Sequence, residues 1–428
     1  MPRPEPTRKA PLAGLAIASL AVLVLLGRGG PVASAGLVVL MLIFVASYAE
    51  AVRAGREIYR VRVEREAPRT LGEGTAGEIV LRALYTGDDP PSYLVIRDHA
   101  DRRLRPQGET GRLGLRPGEW TTMSYTVRPA PGLSKMRAIT LASGDPLGLF
   151  RVSRMISLST AVIVSPSYLP VQELAGGRSR GAAEAVVAFA RGASPEFYQL
   201  REYQPGDDVR MIHWPTSARM GVPIVREGPE TVVDDIALLI DLSAPTWPGT
   251  PGEAAADWIM RTALYIARAV ARAGGRVWAY ILRGEFWEEW PALRGQDAVA
   301  MLSSRLARQG PDTAERRLGL ERAVSRLLDA APRGAWFVLL LGPTVSHRGL
   351  VRVLAEGGVP GCRILVGQFV PLGDTAMERL VRSVERRHYE RARREYERLG
   401  VRSVLANTPG GVAWVASEAV RLPLSRSC

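Results

Sequence analysis

The sequence predicts a mixed α/β protein with three parts: a two-helix transmembrane hairpin, a small β-sandwich and a doubly wound, mostly parallel sheet. Two uncharged apolar runs stand near the N-terminus, short alternating segments follow, and apolar strand patterns then alternate with helical patterns. We place the domains at 1–57 for the hairpin with its basic flanks, 58–170 for the sandwich, 171–232 for a charged linker and 233–428 for the α/β domain.

The N-terminal region has the pattern of two membrane-spanning helices. Residues 11–26 and 32–49 are uncharged, and the short turn between them holds Arg28 alone. With their flanks, both runs approach the roughly 20 residues that cross a bilayer. Basic residues flank the outer ends, so the positive-inside bias places both termini and the soluble domains in the cytoplasm. The basic flanks are Arg3, Arg8, Lys9, Arg53, Arg56, Arg60 and Arg62.

A cleaved signal peptide is the alternative for this region, because Ala33-Ser34-Ala35 resembles a small-residue cleavage site behind an apolar stretch. Cleavage there would leave the apolar residues 36–49 at a free N-terminus. Only a membrane tolerates such an end, so the hairpin is favoured.

The amino-acid composition limits the classes of partner and site that we expect. The formal net charge of +13 is almost entirely arginine, since Lys9 and Lys135 are the only lysines. The arginines are scattered among acids and form no basic run with stacking aromatics, so we expect no nucleic-acid partner. Cys362 and Cys428 stand far apart without a CxxC pair, which argues against a disulfide framework or a structural zinc site and fits a reducing compartment.

The sandwich is predicted from short alternating segments separated by turn residues about every ten positions. Near its end, the stretch Asp145–Phe150 reads DPLGLF and predicts a turn with an apolar tail. We expect this corner to pack against the domain that follows.

The α/β domain is predicted from five apolar strands alternating with helical patterns, and functional groups are expected at the carboxyl ends of the strands. The strands are expected at 236–242, 277–282, 335–341, 363–370 and 401–405, and the helices at 253–272, 298–308, 314–328, 347–355 and 375–399.

The helix at 375–399 carries eight arginines interleaved with glutamates that include Glu378, Glu385, Glu390 and Glu395. Opposite charges three or four positions apart stabilise an exposed helix. We expect a solvated face, with a docking surface as the alternative.

Asp241 and Ser243 follow the first core strand and are the candidate metal ligands. Carboxylate and hydroxyl oxygens there suit Mg²⁺ or Mn²⁺. Pro245 stands where a DxSxS loop has its second serine, and the strand at 335–341 ends in Gly342 rather than an acid. The site is therefore degenerate, and capping of the turn is the competing interpretation.

The segment at 192–230 interleaves both signs of charge with aromatic and apolar residues. An isolated ion removed from water costs several kcal/mol, so these charges predict an ion-pair network. Each acid has an arginine nearby that keeps it ionised, which favours structural pairing over proton transfer. We assign no catalytic residue. The interaction or structural motif consists of Glu196, Arg201, Glu202, Tyr203, Gly206, Asp207, Asp208, Arg210, His213, Trp214, Ser217, Arg219, Arg226 and Glu227.

This motif resembles the signature of the DUF58 family. The DPLGLF turn ahead of it and the Asp241-Leu242-Ser243 strand end behind it stand where that family has them. The resemblance implies a von Willebrand factor A-like domain and an association with MoxR-type AAA+ ATPases, with which family members are thought to assemble or activate protein complexes. Of a complete metal-ion-dependent adhesion site, only Asp241 and Ser243 carry over.

We therefore expect a membrane-anchored, cytoplasmic protein-interaction module that acts with a MoxR-type ATPase and is not an enzyme. One alternative is a divalent-metal-dependent enzyme or ligand-binding protein using Asp241 and Ser243 with the Asp207/Asp208 pair. Another is a membrane protein whose sandwich contacts anionic lipid through arginines.

Overall fold

The chain forms two compact units, residues 1–165 and 166–428. The first contains mainly antiparallel sheets and the second a mostly parallel sheet, which confirms the mixed α/β class. The computed structural model describes residues 3–169, 199–204, 209, 212–227, 235–283, 286–293, 295–311, 319–331, 334–343 and 347–421.

Two apolar helices open the first unit after the short strand β1 (Glu5–Pro6): α1 (Ala10–Leu25) and α2 (Gly30–Glu57). Helix α2 is long and apolar enough to cross a membrane, whereas α1 is a shorter apolar helix. The large side chains of the α2 apolar run are exposed, Leu42 at 62% and Val45 at 64%. One candidate membrane-spanning helix is therefore supported.

The second half of α2 belongs to the soluble fold. Ser47, Ala51, Ala54 and Gly55 are buried. They share one helix face, because Ala51 lies four positions after Ser47, and Ala54 and Gly55 lie three and four positions after Ala51. Ile58, one turn further on, is fully buried in the core of the sheets. Small side chains on this face let the sheets approach the helix closely.

Two sheets follow α2 and share one hydrophobic core that includes Ile79, Leu81, Ile96 and Leu141. One sheet has the order β1-β9-β8-β5-β6, with β3 pairing parallel to the end of β9, and the other has the order β2-β4-β7. The strands are β2 (Val61–Glu66), β3 (Thr70–Gly72), β4 (Gly77–Tyr85), β5 (Leu94–Asp98), β6 (Thr110–Leu113), β7 (Trp120–Val127), β8 (Gly132–Gly144) and β9 (Phe150–Ser165).

A buried ion pair joins the two sheets. Arg65 of β2 donates to both carboxylate oxygens of Asp98 of β5, at 2.9 and 2.5 Å, and both side chains are 0% exposed. The hydroxyl of Tyr125, on β7, donates to the same carboxylate at 2.8 Å, and burial together with Asp98 raises the pKa of Tyr125. Arg65 also donates to the carbonyls of Met136 and Leu158, so its remaining donors are used.

Asp98→Ala leaves the buried Arg65 guanidinium without its counter-ion. We expect the free energy of unfolding to fall by about 3–5 kcal/mol, the usual cost of breaking a buried pair. Chemical denaturation of the detergent-solubilised chain, followed by circular dichroism, measures this. Glu66→Ala is the matched control, because the Glu66–Arg82 pair is exposed and should change stability by less than about 1 kcal/mol. Equal effects of the two substitutions would contradict the bridging role.

The Asp145–Phe150 corner is a turn, as expected, and its apolar tail packs on helix α2. The amide of Gly148 donates to the carbonyl of Asp145 at 3.0 Å, and Gly148 has a φ of +70°, which glycine adopts without strain. The ring of Phe150 packs edge-on against Phe44 and Tyr48 of α2, with centroids 5.1 and 5.3 Å apart. The corner thus contacts the preceding helix α2, and the expected contact with the following domain stays a prediction.

The second unit is built on one sheet with the order β14-β13-β12-β15-β16-β17, in which β14 is antiparallel and the other strands are parallel. Ile236, Leu238 and Ile240 of β12 belong to the core on one face, and Ala237 and Leu239 to the core on the other. The elements are β10 (Gln199–Glu202), α3 (Trp214–Met220), β11 (Ile224–Glu227), β12 (Ile236–Asp241), α4 (Ala255–Arg272), β13 (Val277–Arg283), β14 (Phe286–Leu293), α5 (Gly295–Ala307), α6 (Leu320–Ala330), β15 (Trp336–Leu341), α7 (His347–Glu356), β16 (Ile364–Phe369), α8 (Ala376–Arg398), β17 (Arg402–Ala406) and α9 (Pro409–Arg421).

Candidate functional site

Asp241 ends β12 at the point where the strand order reverses, since β13 lies on one side of β12 and β15 on the other. This is where doubly wound sheets bind ligands. The Asp241 side chain is fully buried. Its Oδ1 accepts hydrogen bonds from the amide and hydroxyl of Ser243, at 3.1 and 2.5 Å, and its Oδ2 accepts from the amide of Gly342 at 3.0 Å.

The loop after β12 folds over this carboxylate. Thr246 donates its hydroxyl to the carbonyl of Ser243 at 2.7 Å, and the Trp247 indole donates to the carbonyl of Leu242 at 2.9 Å. A Cβ at Gly342 would lie 2.2 Å from Cγ2 of Thr246, so the close approach requires glycine. These contacts give Asp241 the geometry of a residue that caps its own turn.

Metal binding by Asp241 and Ser243 stays a prediction. A cation at Asp241 would compete with three hydrogen bonds from the chain, and Mg²⁺ prefers several oxygen ligands in octahedral geometry. Within the described ranges, no group of three or more histidine, cysteine, aspartate or glutamate residues could hold a metal ion. The donor set that the structure brings together is therefore one carboxylate and one hydroxyl.

Asp241→Ala separates the capping role from the metal role. If Asp241 caps the turn, the substitution leaves buried amides without an acceptor, and we expect a loss of about 2–4 kcal/mol of unfolding free energy in buffer containing EDTA. Chemical denaturation measures it. A site used only for metal would leave stability in EDTA unchanged. Calorimetric titration of the wild-type chain with Mg²⁺ or Mn²⁺, giving heat that Asp241→Ala abolishes, would instead support the metal-site alternative.

Glu378 links two loops at the same edge of the sheet. It is 2% exposed, and its carboxylate accepts from the amide and hydroxyl of Thr250 at 2.6 and 3.1 Å and from those of Thr375 at 2.9 and 2.5 Å. Thr375 in turn caps the start of α8, which completes a capping box. The carboxylate thereby joins the loop after β12 to the loop after β16.

The position of Glu378 corrects the expectation of a solvated charged helix. Glu378 and Glu385 are buried, and Glu385 accepts a hydrogen bond from Gln368 of β16 at 3.3 Å. They lie seven positions apart and therefore share a face, which also buries Tyr389 and Tyr396. The opposite face carries the predicted exposed pairs, Arg386–Glu390 at 2.9 Å and Arg393–Glu397 at 2.8 Å.

Glu378 makes folding sensitive to acid. Burial opposes its ionisation, but the hydrogen bonds from Thr250 and Thr375 outweigh burial and lower its pKa. A carboxylate with a lowered pKa stabilises the folded state above its unfolded pKa of about 4.3, and this stability is lost as the pH falls through the folded pKa.

We expect Glu378→Gln to cost about 1–3 kcal/mol at pH 7 and to flatten the fall in stability below about pH 4.3. Urea denaturation at a series of pH values measures both effects. The control is Glu390→Gln in the same helix, which removes an exposed pair and should change stability by less than about 1 kcal/mol. A Glu378→Gln profile parallel to that of the wild type would refute the linkage.

The charged motif forms a strand–helix–strand element in its described part. Strands β10 and β11 pair antiparallel, with Glu202 opposite Ile224. Helix α3 begins directly after His213, whose Nδ1 accepts from the amide of Thr216 at 3.3 Å. The Ser217 hydroxyl accepts from the amide of Ile224 at 2.8 Å and donates to the carbonyl of His213 at 3.0 Å. Two motif residues, His213 and Ser217, therefore fasten α3 to β11.

Apolar side chains of this element are exposed. Trp214 is 66% exposed, Met220 64% and Val209 58%, while Ile224 and Val225 are each 4% exposed. Trp214 stands among aromatic and apolar residues of types that are usually buried, and its exposure departs from that pattern. The element buries Ile224 and Val225 of its second strand and presents the indole ring to solvent.

The remaining motif residues leave the ion-pair network untested. Tyr203 is half-buried, its amide donating to the carbonyl of Pro223 at 2.9 Å, and Glu202 and Arg219 are exposed. Arg201, Arg226 and Glu227 lie in β10 and β11. The network stays a prediction because several of its members lie outside the described residues, namely Glu196, Gly206, Asp207, Asp208 and Arg210.

These features define a class: a mixed α/β protein with an N-terminal apolar helix, antiparallel sheets and a parallel sheet whose first strand in chain order ends in the buried Asp241. Residues 199–356 match the family model described as "Protein of unknown function DUF58". The matched range includes α3 and Asp241.

Curated relatives are distant. "Uncharacterized protein Rv1480" of Mycobacterium tuberculosis and "Uncharacterized protein Mb1516" of Mycobacterium bovis are each 28% identical over 186 residues, 43% of this chain. The match spans 59% of the length of these relatives.

Solved structures give weak likenesses. A CARDB domain of Pyrococcus furiosus is 16% identical and covers 23% of this chain and 93% of its own, with a TM-score of 0.15. Part of α-2-macroglobulin from Escherichia coli is 13% identical and covers 85% of this chain and 54% of its own, with a TM-score of 0.21. Scores this low carry no argument.

Proposed function

We propose that this chain is a membrane-anchored, cytoplasmic protein-interaction module that acts with a MoxR-type AAA+ ATPase to assemble or activate protein complexes. The observation that carries the proposal is the exposed Trp214 on an ordered element inside the range matched by the DUF58 model. Tryptophan is enriched among the residues that dominate protein–protein binding energy. The ATPase as partner rests on the resemblance of the motif.

The anchoring part of the proposal is that α1 and α2 both cross the membrane and that both soluble units lie in the cytoplasm. The pairing of β1 with the start of β9, Glu5 opposite Arg151 and Pro6 opposite Phe150, supports this topology. The chain before α1 and the chain after α2 meet in one sheet, as two crossings require. The basic residues at both outer ends agree with a cytoplasmic location.

We also propose that the parallel-sheet domain is von Willebrand factor A-like. In chain order its six strands are arranged 3-2-1-4-5-6, and the third strand is the antiparallel one at the edge. This order is that of a doubly wound fold with a binding edge at the strand carboxyl ends. Asp241 ends a strand at that edge, and Glu378 accepts a hydrogen bond from Thr250 in a loop of that edge.

Trp214→Ala tests the interaction surface. We expect it to weaken binding of the purified full-length chain to a purified MoxR-type ATPase from the same organism by at least about tenfold, or about 1.4 kcal/mol. Biolayer interferometry of the detergent-solubilised chain measures the affinity. Trp120→Ala is the control, because Trp120 is 44% exposed but lies in the other unit. No binding by the wild type, or equal affinities of wild type and Trp214→Ala, would refute the proposal.

A further inference from the structure

The tip of the Asp145–Phe150 corner is an exposed apolar feature that the proposed function leaves unused. Leu147 is 53% exposed at the tip, next to the exposed Pro146. Leu149 and Phe150, just behind it, pack with Ala51 of α2. The corner is closely packed: a Cβ at Gly144 would lie 2.1 Å from the carbonyl oxygen of Phe150, and the Phe150 amide donates to the Asp145 carboxylate at 2.6 Å.

The corner reaches along α2 into the apolar run. Phe44, against which the Phe150 ring packs, stands six residues before Glu50, the first charged residue of α2. At 1.5 Å per residue this is about 9 Å beyond the first charge. Tyr48, the second contact of Phe150, is the type of residue found at membrane interfaces. The distance matches the roughly 5–10 Å to which interfacial segments enter the headgroup and acyl boundary.

Strand β9 leaves this region in the direction of the soluble fold. Phe150 begins β9 beside Phe44, and four residues later Arg154 donates to the carbonyls of Ile58 and Tyr59 at 3.2 and 3.1 Å. The strand and α2 therefore run in the same direction. The corner is the end of the sheet nearest the apolar run.

Three basic residues and the exposed Glu5, which pairs with Arg151 in register, belong to the segments next to the tip. Arg8, Lys9 and Arg151 are exposed, and Nζ of Lys9 lies 3.8 Å from the position that a Cβ on Gly148 would take. Thr7 holds the basic segment in place, because its hydroxyl donates to the carbonyl of Gly148 at 2.6 Å. An apolar tip with nearby basic residues complements an anionic bilayer surface, which attracts basic side chains.

We propose that the Pro146–Leu147 tip inserts into the headgroup layer of an anionic bilayer, with Arg8, Lys9 and Arg151 against lipid phosphates. The inference rests on the membrane anchoring in the proposed function and deepens it. Helices α1 and α2 supply contacts with the membrane in the proposed function, and the tip supplies a further one from the sheet. This additional contact restricts tilting of the first unit on the membrane.

Site-specific fluorescence tests the insertion. In the full-length chain with Cys362→Ser and Cys428→Ser, a single cysteine replaces Leu147 and carries the fluorophore NBD. The chain is reconstituted into phosphatidylcholine vesicles with and without phosphatidylglycerol, doped with a nitroxide-labelled lipid. We expect blue-shifted emission and strong quenching at Leu147→Cys, reduced at least twofold when phosphatidylglycerol is left out.

Two control positions give the quenching expected inside the membrane and away from it. Leu42→Cys lies in the apolar run of α2, is 62% exposed, and should be quenched in both vesicle types. Met155→Cys replaces an exposed apolar residue of the same strand, 70% exposed and about 17 Å beyond Phe150 at 3.3 Å per residue, and should stay unquenched.

The outcomes separate the inference from the anchoring. Quenching at Leu42→Cys with Leu147→Cys no more quenched than Met155→Cys would overturn tip insertion and leave the anchoring intact. Absence of quenching at Leu42→Cys would overturn the anchoring itself, and tip insertion with it. Strong but equal quenching at Leu147→Cys in both vesicle types would overturn the role of the basic residues.

Discussion

The first unit depends on the fact that α2 continues from its apolar run into the soluble fold without a break. The buried face of small residues from Ser47 to Gly55 lets the sheets close on the helix, and Ile58 enters their shared core one turn later. A helix that is packed along several turns cannot swivel relative to the sheets it touches. The contact of Phe150 with Phe44 and the pairing of β1 with β9 therefore follow from where α2 is held.

Buried charges position parts of the fold that apolar packing alone would leave free. Arg65 and Asp98 come from opposite sheets, so their pairing fixes how those sheets face each other. Glu378 performs the same task for two loops of the second unit, since its carboxylate is shared by Thr250 and Thr375. Replacing a buried ion pair by apolar residues often leaves the stability of a protein unchanged. We therefore expect such buried groups to matter more for the geometry of the parts they join than for stability. In both cases, removal of one partner leaves the other buried, away from water and without that partner.

The sequence patterns predicted the elements of the second unit well, because a continuous apolar strand or an amphipathic helix is a local property. The strand β14 and the helix α9 were not predicted, also for local reasons. Glu288, Glu289 and Pro291 interrupt the apolar pattern of the strand, and Pro409 with two following glycines weakens the helical pattern at the start of the helix. The alternation in β2 and β5 places Arg65 and Asp98 on inward positions, and this pattern predicts a buried ion pair. In contrast, the contact of Phe150 with Phe44 joins residues 106 positions apart, and no local pattern contains it.

The residues of the candidate site also differ in how far local sequence predicts their placement. Asp241 and Ser243 share one loop, so their proximity was readable from spacing, whereas the exposure of Trp214 depends on everything that surrounds it and could not be read from its hydrophobicity. That exposure also has a physical consequence. Ser217 ties α3 to β11, and buried Ile224 and Val225 hold the strand in place, so the indole is presented on an ordered support. A partner that binds it does not meet the full cost of ordering the segment, which is about 0.5–1.5 kcal/mol for each side chain fixed on binding. In the proposed interaction, support of this kind lowers the entropy cost of binding the indole.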